Sequence, residues 1–142
     1  MIRVTRASRK STIAFSIKEW HKLDVPHYGR RIEFNEQTFR FKATENGNVV
    51  GLISGKHVSG VVYIDQIITA EKARRRGIGT VLIRRVEEFG RKVGAHKLWL
   101  MTGKDWSENA FYKKLGFRIE ATLSDHHFQR DFFVYSRAIK VT

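Results

Sequence analysis

The run Arg74–Thr80 has residue types and a spacing that suit an anionic ligand, because three arginines precede Gly77 and Gly79. Glycine allows the backbone to approach a ligand closely and to adopt positive φ angles. If a helix begins here, its first N–H groups face the anion and its dipole favours negative charge. The run therefore predicts a pyrophosphate-binding loop. A basic turn capped by glycine and a nucleic-acid patch are the alternatives, because short glycine motifs have low specificity.

Composition excludes several other kinds of chemistry. The chain has 142 residues and no cysteine, which excludes a disulfide framework, a thiolate zinc site and a cysteine nucleophile. His126 and His127 are adjacent, and adjacent side chains on a strand face opposite ways, so a joint metal site is not expected. We expect no metal. The missing cysteine and the short apolar runs predict a cytoplasmic protein without a membrane-spanning segment.

The formal net charge of +13, from 27 Lys and Arg against 14 Asp and Glu, favours an anionic partner. Nucleic acid, a membrane surface and a phosphorylated small molecule all fit that description. The excess is spread along the chain, with local peaks at Arg3–Lys10 and Arg74–Arg76. The sequence has no lysine-rich tail of the kind that coats nucleic acid.

A long amphipathic helix is predicted directly after the glycine run. Apolar residues recur every three or four positions from Ile78 to Val93, charged residues fill the opposite face, and Gly94 is expected to end the helix. The β-branched run Val61–Thr69 precedes the loop, and the strand Lys97–Met101 follows the helix. This order of strand, helix and strand predicts a crossover and a parallel pair.

The other segments complete a predicted α+β fold. A helix capped by Ser11 is expected to reach about Lys22, where Asp24–Gly29 breaks it. Asn46-Gly47 and Ser59-Gly60 are typical hairpin turns. The remaining predictions are strands at Ile2–Ala7, Thr38–Thr44, Asn48–Ser54, Phe117–Leu123 and Phe132–Ile139, and a short helix that starts at Asp105 and Glu108 and ends at Leu115.

Two motifs together carry a resemblance to a known family. Arg74, Gly77 and Gly79 match a pattern of Arg/Gln-x-x-Gly-x-Gly/Ala that follows a strand and opens a long helix, and Phe111–Phe117 matches Phe-Tyr-x-Lys-Leu-Gly-Phe. In both motifs the chain resembles the GNAT superfamily of acetyl-CoA-dependent N-acyltransferases. The resemblance implies the acyl-CoA N-acyltransferase fold: a central mixed, mostly antiparallel sheet with a splayed parallel pair and helices on both faces. It also implies one N-acetyltransferase domain, residues 1–142.

The resemblance implies a location for acetyl-CoA between the two parallel strands. Backbone groups of Ile67, Ile68 and Thr69 would pair with the pantetheine, and one of their N–H groups would be the oxyanion donor. Arg74, Lys104 and Lys113 are alternative contacts for the phosphate on the adenosine ribose. The residues expected to bind the pyrophosphate through backbone N–H groups are Arg75, Arg76, Gly77, Ile78, Gly79 and Thr80.

Tyr112 occupies the family's general-acid position. A phenol with an ordinary pKa of about 10 stays protonated and can give its proton to the departing thiolate. The alternative is an aromatic residue packed in the core. Asp65 is the candidate general base, because the family often carries an acidic residue there and alternation places it on the face of Ile67. A salt-bridged carboxylate is the alternative, and Glu33 and Glu36 are weaker candidates for the acceptor site.

The family often carries Asn seven residues before this tyrosine, where this sequence has Asp105. Asn109, one helical turn later, is the candidate to supply the amide, with an exposed helix residue as the alternative. For the loop Ser124–Asp131, a surface loop is favoured over a role at the lip of the acceptor groove. Trp20, Trp99 and Trp106 are expected in the core or in the groove lining.

The sequence thus predicts an N-acetyltransferase that moves an acetyl group from acetyl-CoA to an amine by direct transfer in a ternary complex. The amine belongs to a small molecule, a peptide or a protein. The alternatives are a GNAT-fold nucleic-acid-binding or regulatory module without turnover, and a transferase that uses a longer acyl-CoA. Nucleic acid is not the favoured partner, no membrane partner is expected, and homodimers are common in the family.

Overall fold

The computed structural model describes residues 1–140. One compact unit is Met1–Phe34, and a second begins at Asn35 and contains the sheet. None of the helices formed by the described residues combines the length and the hydropathy that crossing a bilayer requires. The elements are α1 (Arg9–Tyr28), β1 (Glu36–Glu45), β2 (Asn48–Val58), β3 (Val61–Thr69), α2 (Ile78–Lys92), β4 (Lys97–Gly103), α3 (Glu108–Lys114), β5 (Arg118–Leu123) and β6 (Phe132–Ala138), with short 3₁₀ turns at Glu71–Ala73 and His127–Gln129.

The first unit differs from the prediction at both ends of its helix. Residues 1–7 are exposed and form no strand, and Ser8 rather than the predicted Ser11 caps α1, because the Ser8 hydroxyl accepts a hydrogen bond from the Ser11 N–H at 3.2 Å. The helix continues through Pro26 to Tyr28, although proline removes a helical hydrogen bond. Buried Asp24 holds the turn that follows by accepting from the Ile32 N–H at 3.3 Å. Gly29, with φ 74°, ends the helix.

The sheet of the second unit has the order β1-β2-β3-β4-β6-β5. Its pairs are antiparallel except for β3 and β4, which are parallel and connected through α2. Both hairpin turns have positive φ angles, at Asn46-Gly47 and at Ser59-Gly60, as their sequences predict. The predicted mixed, mostly antiparallel α+β fold is therefore confirmed.

One strand pair contains an irregularity that the sequence does not reveal. Ser54 pairs with Gln66 and Gly55 pairs with Ile64, so Asp65 is an extra, unpaired residue between them. Such a β-bulge changes the alternation of side chains along the strand. Ile64 is buried, the next two residues are exposed, and Ile67 packs against the core. Asp65 therefore does not lie on the face of Ile67, and simple alternation gave the wrong face.

Helix α2 packs on the sheet face that carries the hydrophobic core. Its buried residues Leu82, Ile83 and Val86 meet Ile53 of β2 and Leu98 of β4 in one cluster. The helix approaches β2 closely, because a Cβ placed at Gly51 would lie 2.8 Å from the Ile78 side chain. The strand before α2 and the strand after it are thus held at fixed positions relative to the N-terminus of α2.

Helix α3 begins two residues later than its predicted capping pattern allows. Ser107, not Asp105, occupies the N-cap position, and no side chain caps the helix. Asp105 lies in the preceding turn, where the Trp106 N–H donates to the Gly103 carbonyl at 3.1 Å. Turn geometry after β4 therefore overrides the Asp-x-x-Glu pattern. Gly116 ends the helical segment with φ 86°, as expected.

Candidate active site

The parallel strands β3 and β4 are paired over only three residues. Val61 pairs with Lys97, Val62 with Leu98 and Tyr63 with Trp99, and the pairing ends there. Both strands continue, β3 to Thr69 and β4 to Gly103, and each keeps its outer antiparallel neighbour. The second half of β3 therefore presents unpaired backbone groups to an opening inside the sheet. Ile67, Ile68 and Thr69 lie along that opening.

The run Arg74–Thr80 connects this opening to the N-terminus of α2. Arg75 has φ 64° and Gly77 has φ 78°, so the backbone turns sharply twice within three residues. No side chain caps α2, and its first N–H groups are left for an external partner. Arg74 and Arg75 are exposed. Free N–H groups, positive φ angles and basic side chains together fit a pyrophosphate group.

Arg76 is engaged differently from its two neighbours. Its guanidinium forms a bidentate ion pair with the Glu45 carboxylate at the end of β1, with one N–O distance of 3.2 Å. The arginine lowers the pKa of the Glu45 carboxyl through the hydrogen bond and through its charge. Arg76 therefore fixes the loop to the sheet, and its backbone, rather than its side chain, is available to a ligand.

The two sequence motifs meet in space. The Phe111 ring of α3 lies against Gly79 in the first turn of α2, so close that an added Cβ would lie 3.0 Å from the ring. Tyr112, the next residue, packs against the rings of Phe117 and Tyr135 at centroid distances of 6.0 and 5.7 Å. Tyr135 of β6 pairs with Leu100 of the adjacent strand β4. The tyrosine therefore lies beside the strand that borders the opening.

Tyr112 is a core residue with a free hydroxyl. Its exposed fraction is 6%, and within residues 1–140 its hydroxyl makes no hydrogen bond. Every fully buried side-chain nitrogen or oxygen in that range has a hydrogen-bond partner, so the Tyr112 hydroxyl is not fully buried. The hydroxyl must therefore reach the molecular surface. Burial, and to a smaller extent the charge of Glu108, raises the pKa of Tyr112 to about 12. At neutral pH the phenol is therefore protonated, as a general acid has to be before it donates its proton.

Asn109 uses both ends of its amide within the protein. The Nδ2 group donates to the carbonyls of Gly103, Lys104 and Trp106 at 2.9, 3.2 and 2.7 Å. The Oδ1 atom accepts from the Tyr135 hydroxyl at 2.6 Å. Asn109 is half-buried and fixes the turn after β4, so its predicted contact with the cofactor would need one of these bonds to be exchanged.

The bulge at Asp65 brings its carboxylate next to a serine that the sequence did not single out. The Ser54 hydroxyl donates to Asp65 Oδ1 at 2.5 Å. Ser54 is buried, and a hydroxyl at the end of the apolar run Val49–Ile53 is the signal that could have identified it. The two residues line a depression of about 350 Å³, together with Thr38, Phe39, Arg40 and Gly55.

An aromatic pair joins the two parallel strands β3 and β4. The rings of Tyr63 and Trp99 stack at 4.3 Å, where β3 and β4 are still paired. Burial and the charge of Asp65 raise the pKa of Tyr63, which places the carboxylate near this pair. Trp99 is half-buried, whereas Trp20 and Trp106 are exposed at 60% and 55%. Only Trp99, of the three, is placed as a core or groove residue would be.

The other candidate residues of the second unit are not among those that line this depression. Glu36 forms an ion pair with Lys56 at 3.8 Å, and Glu33 belongs to the first unit. His126 and His127 lie at a turn rather than on a strand, with their rings 4.3 Å apart. Residues 1–140 bring no three His, Asp or Glu side chains together in an arrangement that holds a metal ion.

The family profile of the acetyltransferase (GNAT) family matches residues 6–117 of this chain. The chain therefore belongs to that family, as its two motifs predict. Acyl transfer from coenzyme A is the general activity of that family.

One relative is similar in sequence, and two solved structures share the fold. The uncharacterized N-acetyltransferase YobR of Bacillus subtilis (strain 168) is 28% identical over 90 residues, which are 63% of this chain and 35% of that protein. The matched segment thus spans about a third of that relative. An acetyltransferase from Bacillus cereus ATCC 14579 superimposes with a TM-score of 0.70 at 19% identity, covering 96% of this chain and 97% of that chain. An aminoglycoside 6'-N-acetyltransferase complexed with coenzyme A gives 0.67 at 16% identity, covering 74% of each chain.

Proposed function

We propose that this protein is an N-acetyltransferase that transfers an acetyl group from acetyl-CoA to an amine directly, in a ternary complex. The observation that carries the proposal is the opening between β3 and β4, which runs into the uncapped N-terminus of α2. The neighbour of known structure that contains coenzyme A has the same fold. Cysteine, the usual residue for a thioester intermediate on the enzyme, is absent from the sequence, which supports direct attack by the amine.

Acetyl-CoA supplies the activated thioester. The backbone of Arg75–Thr80 binds its pyrophosphate through N–H groups, with the dipole of α2 favouring the negative charge. Unpaired backbone groups of Ile67, Ile68 and Thr69 hold the extended pantetheine as a neighbouring strand would be held. An N–H group of this segment donates to the oxyanion that develops on the carbonyl oxygen.

The two proton-transfer roles fall to Asp65 and Tyr112. Asp65 takes a proton from the acceptor ammonium, directly or through a water molecule, and Ser54 holds the carboxylate in place. The amine nitrogen forms its bond to the acetyl carbon as the carbon–sulfur bond breaks. Tyr112 gives its proton to the departing thiolate and is reprotonated from solvent. The products are an N-substituted acetamide, coenzyme A and one proton.

The proposal is tested first by binding and then by turnover. Acetyl-CoA at 100 times its Kd should stabilise the folded protein by about 2.7 kcal/mol, seen as a rise in Tm. An acceptor screen with thiol detection then identifies the amine, and initial rates should give intersecting double-reciprocal plots. Mass spectrometry of the enzyme incubated with acetyl-CoA alone should show no acetylated protein. No rise in Tm with acetyl-CoA would overturn the proposal.

A further inference from the structure

The depression at Asp65 contains a cation that the proposed mechanism does not use. Arg40 of β1 lines the same depression of about 350 Å³ as Ser54 and Asp65. Arg40 is exposed, and within residues 1–140 it takes part in no ion pair. Its neighbour Lys56, by contrast, is paired with Glu36. A free guanidinium therefore lies in the depression that holds the candidate base.

The strand register fixes the relation between the two charged groups. Arg40 pairs with Ser54 across β1 and β2, and the Ser54 hydroxyl donates to Asp65 at 2.5 Å. All three side chains thus lie on one face of the sheet. One strand separates β1 from β3, so the backbones of Arg40 and Asp65 are about 10 Å apart. The depression therefore has a positive group at one end and a negative group at the other.

Gly55, which lines the depression together with Phe39, adds no side chain to it. A Cβ at Gly55 would overlap the carbonyl oxygen of Tyr63 and the ring of Phe39, which packs in the core on the sheet face opposite to Arg40 and Ser54. The floor between the two charged side chains is therefore the strand backbone, which no large side chain covers. A short carbon chain fits such a floor, with one polar group at each of its ends.

We propose that the acceptor is a small primary amine that carries a carboxylate a few bonds from its nitrogen. This inference rests on the proposed N-acetyltransferase function. The ammonium is held and deprotonated at Asp65, and the carboxylate binds Arg40. A guanidinium suits the second role, because its planar N–H groups match a carboxylate in a bidentate pair. The acetyl group is transferred to the nitrogen as described above, and the carboxylate is unchanged.

Matched pairs of acceptors test the proposal. Glycine, β-alanine, γ-aminobutyrate and leucine are each compared with their carboxamides at saturating acetyl-CoA, by kcat/KM from thiol release. At least one carboxylate should exceed its carboxamide about tenfold or more. Arg40→Gln should lower kcat/KM for that carboxylate about 10- to 100-fold, mainly through KM, and leave the carboxamide unchanged. Lys42→Gln is the control, because Lys42 lies two residues along β1 and outside the depression.

Two results would overturn the acceptor proposal. One is a kcat/KM for every carboxamide that equals or exceeds that of its carboxylate. The other is an Arg40→Gln variant that weakens both members of a pair equally. If acetyl-CoA raises the Tm but no amine is acetylated, the transfer proposal fails separately. The acceptor proposal is then decided by a Tm rise of the coenzyme A-saturated protein with carboxylates, which Arg40→Gln must abolish.

Discussion

At the scale of single residues, the proposed base Asp65 and the proposed acid Tyr112 lie in different surroundings. Asp65 is exposed, and a bulge removes it from the strand ladder so that its carboxylate meets Ser54. Tyr112 is 6% exposed, and burial raises the pKa of its phenol to about 12. The Asp65 carboxylate is accessible from solvent, as the proposed base has to be, whereas Tyr112 keeps its proton because its anion would be poorly solvated.

Replacing Tyr112 by Phe separates its packing from its chemistry. The ring contacts remain, and the hydroxyl makes no hydrogen bond within residues 1–140, so the Tm should change little. We expect kcat at saturating acetyl-CoA to fall about 100-fold or more, since a positioned acid contributes on that order. Because the raised pKa extends the protonated range upward, the wild-type kcat should show no alkaline loss from this group up to about pH 10.

The matched control is Tyr135→Phe, which removes a buried hydroxyl from the same aromatic cluster. That hydroxyl donates to Asn109, so its loss should cost about 1–3 kcal/mol of folding free energy while kcat stays within a few-fold. The measurements are initial rates and thermal unfolding of both variants. A Tyr112→Phe enzyme with wild-type turnover would remove Tyr112 as the acid.

At the scale of elements, the position of α3 depends on the glycine at the start of α2. Gly79→Ala should favour the helix itself by about 1 kcal/mol, because alanine has the higher helix propensity. The new Cβ, however, would lie 3.0 Å from the Phe111 ring and push α3 away. The Phe111 ring has to move by a few tenths of an ångström, and we expect kcat to fall by up to about tenfold, because a displacement of about 1 Å can cost about 100-fold. Initial rates and the Tm of the variant measure the two effects.

The second substitution Phe111→Leu tests the cause of that loss. A smaller side chain at position 111 should give the alanine room and recover most of the kcat of the Gly79→Ala variant. Phe111→Leu alone serves as the control for lost packing. If the double variant is as slow as Gly79→Ala, the glycine is needed for the ligand itself rather than for the approach of α3.

Several elements were predictable because their signals are local and periodic. The run Val61–Thr69 forms a strand with those same bounds, and α2 begins at Ile78 as its apolar spacing indicates. The bulge was not predictable, since it depends on how β2 and β3 pair across the turn between them. Nor was the continuation of α1 through Pro26, near which the side chain of buried Asp24, itself part of α1, accepts from the Ile32 N–H beyond the end of the helix.

The candidate site was predictable to a similar degree. The two motifs, which carry Gly79 and Phe111, are about 30 residues apart in sequence and in contact in the structure. Ser54 and Arg40 escaped notice because neither belongs to a motif, and only the strand register brings them to Asp65. A sequence shows which residues share a motif, whereas a sheet joins residues that are distant along the chain.

At the scale of the whole molecule, the charge of +13 exceeds what one cofactor requires. The basic residues of the N-terminal peak, Arg3, Arg6, Arg9 and Lys10, are all exposed. Because these cations are exposed, they are available to a nucleic acid, and the nucleic-acid alternative can be tested through them. We expect duplex DNA to bind only non-specifically, with a Kd above about 1 μM at physiological salt and a steep dependence on salt.

Fluorescence anisotropy of a labelled duplex at several salt concentrations measures this Kd. The variant Arg3→Gln/Arg6→Gln should weaken DNA binding without changing acetyl transfer, because the two activities would use separate groups. Tight binding that persists at high salt would favour the nucleic-acid-binding module.

That residues 1–142 act as one catalytic domain stays a prediction, and loss of turnover after removal of residues 1–34 would support it.

The early end of the pairing between β3 and β4 has a consequence for protein association. Unpaired strand edges at the rim of a sheet invite other chains to add a strand, and this leads to aggregation. Here the unpaired stretch lies in the interior of the sheet, flanked by β2 on one side and β6 on the other. The opening therefore offers backbone groups to one extended ligand, as proposed for the pantetheine. It is not an outer edge of the sheet, so another sheet does not find there the free rim to which it would add a strand.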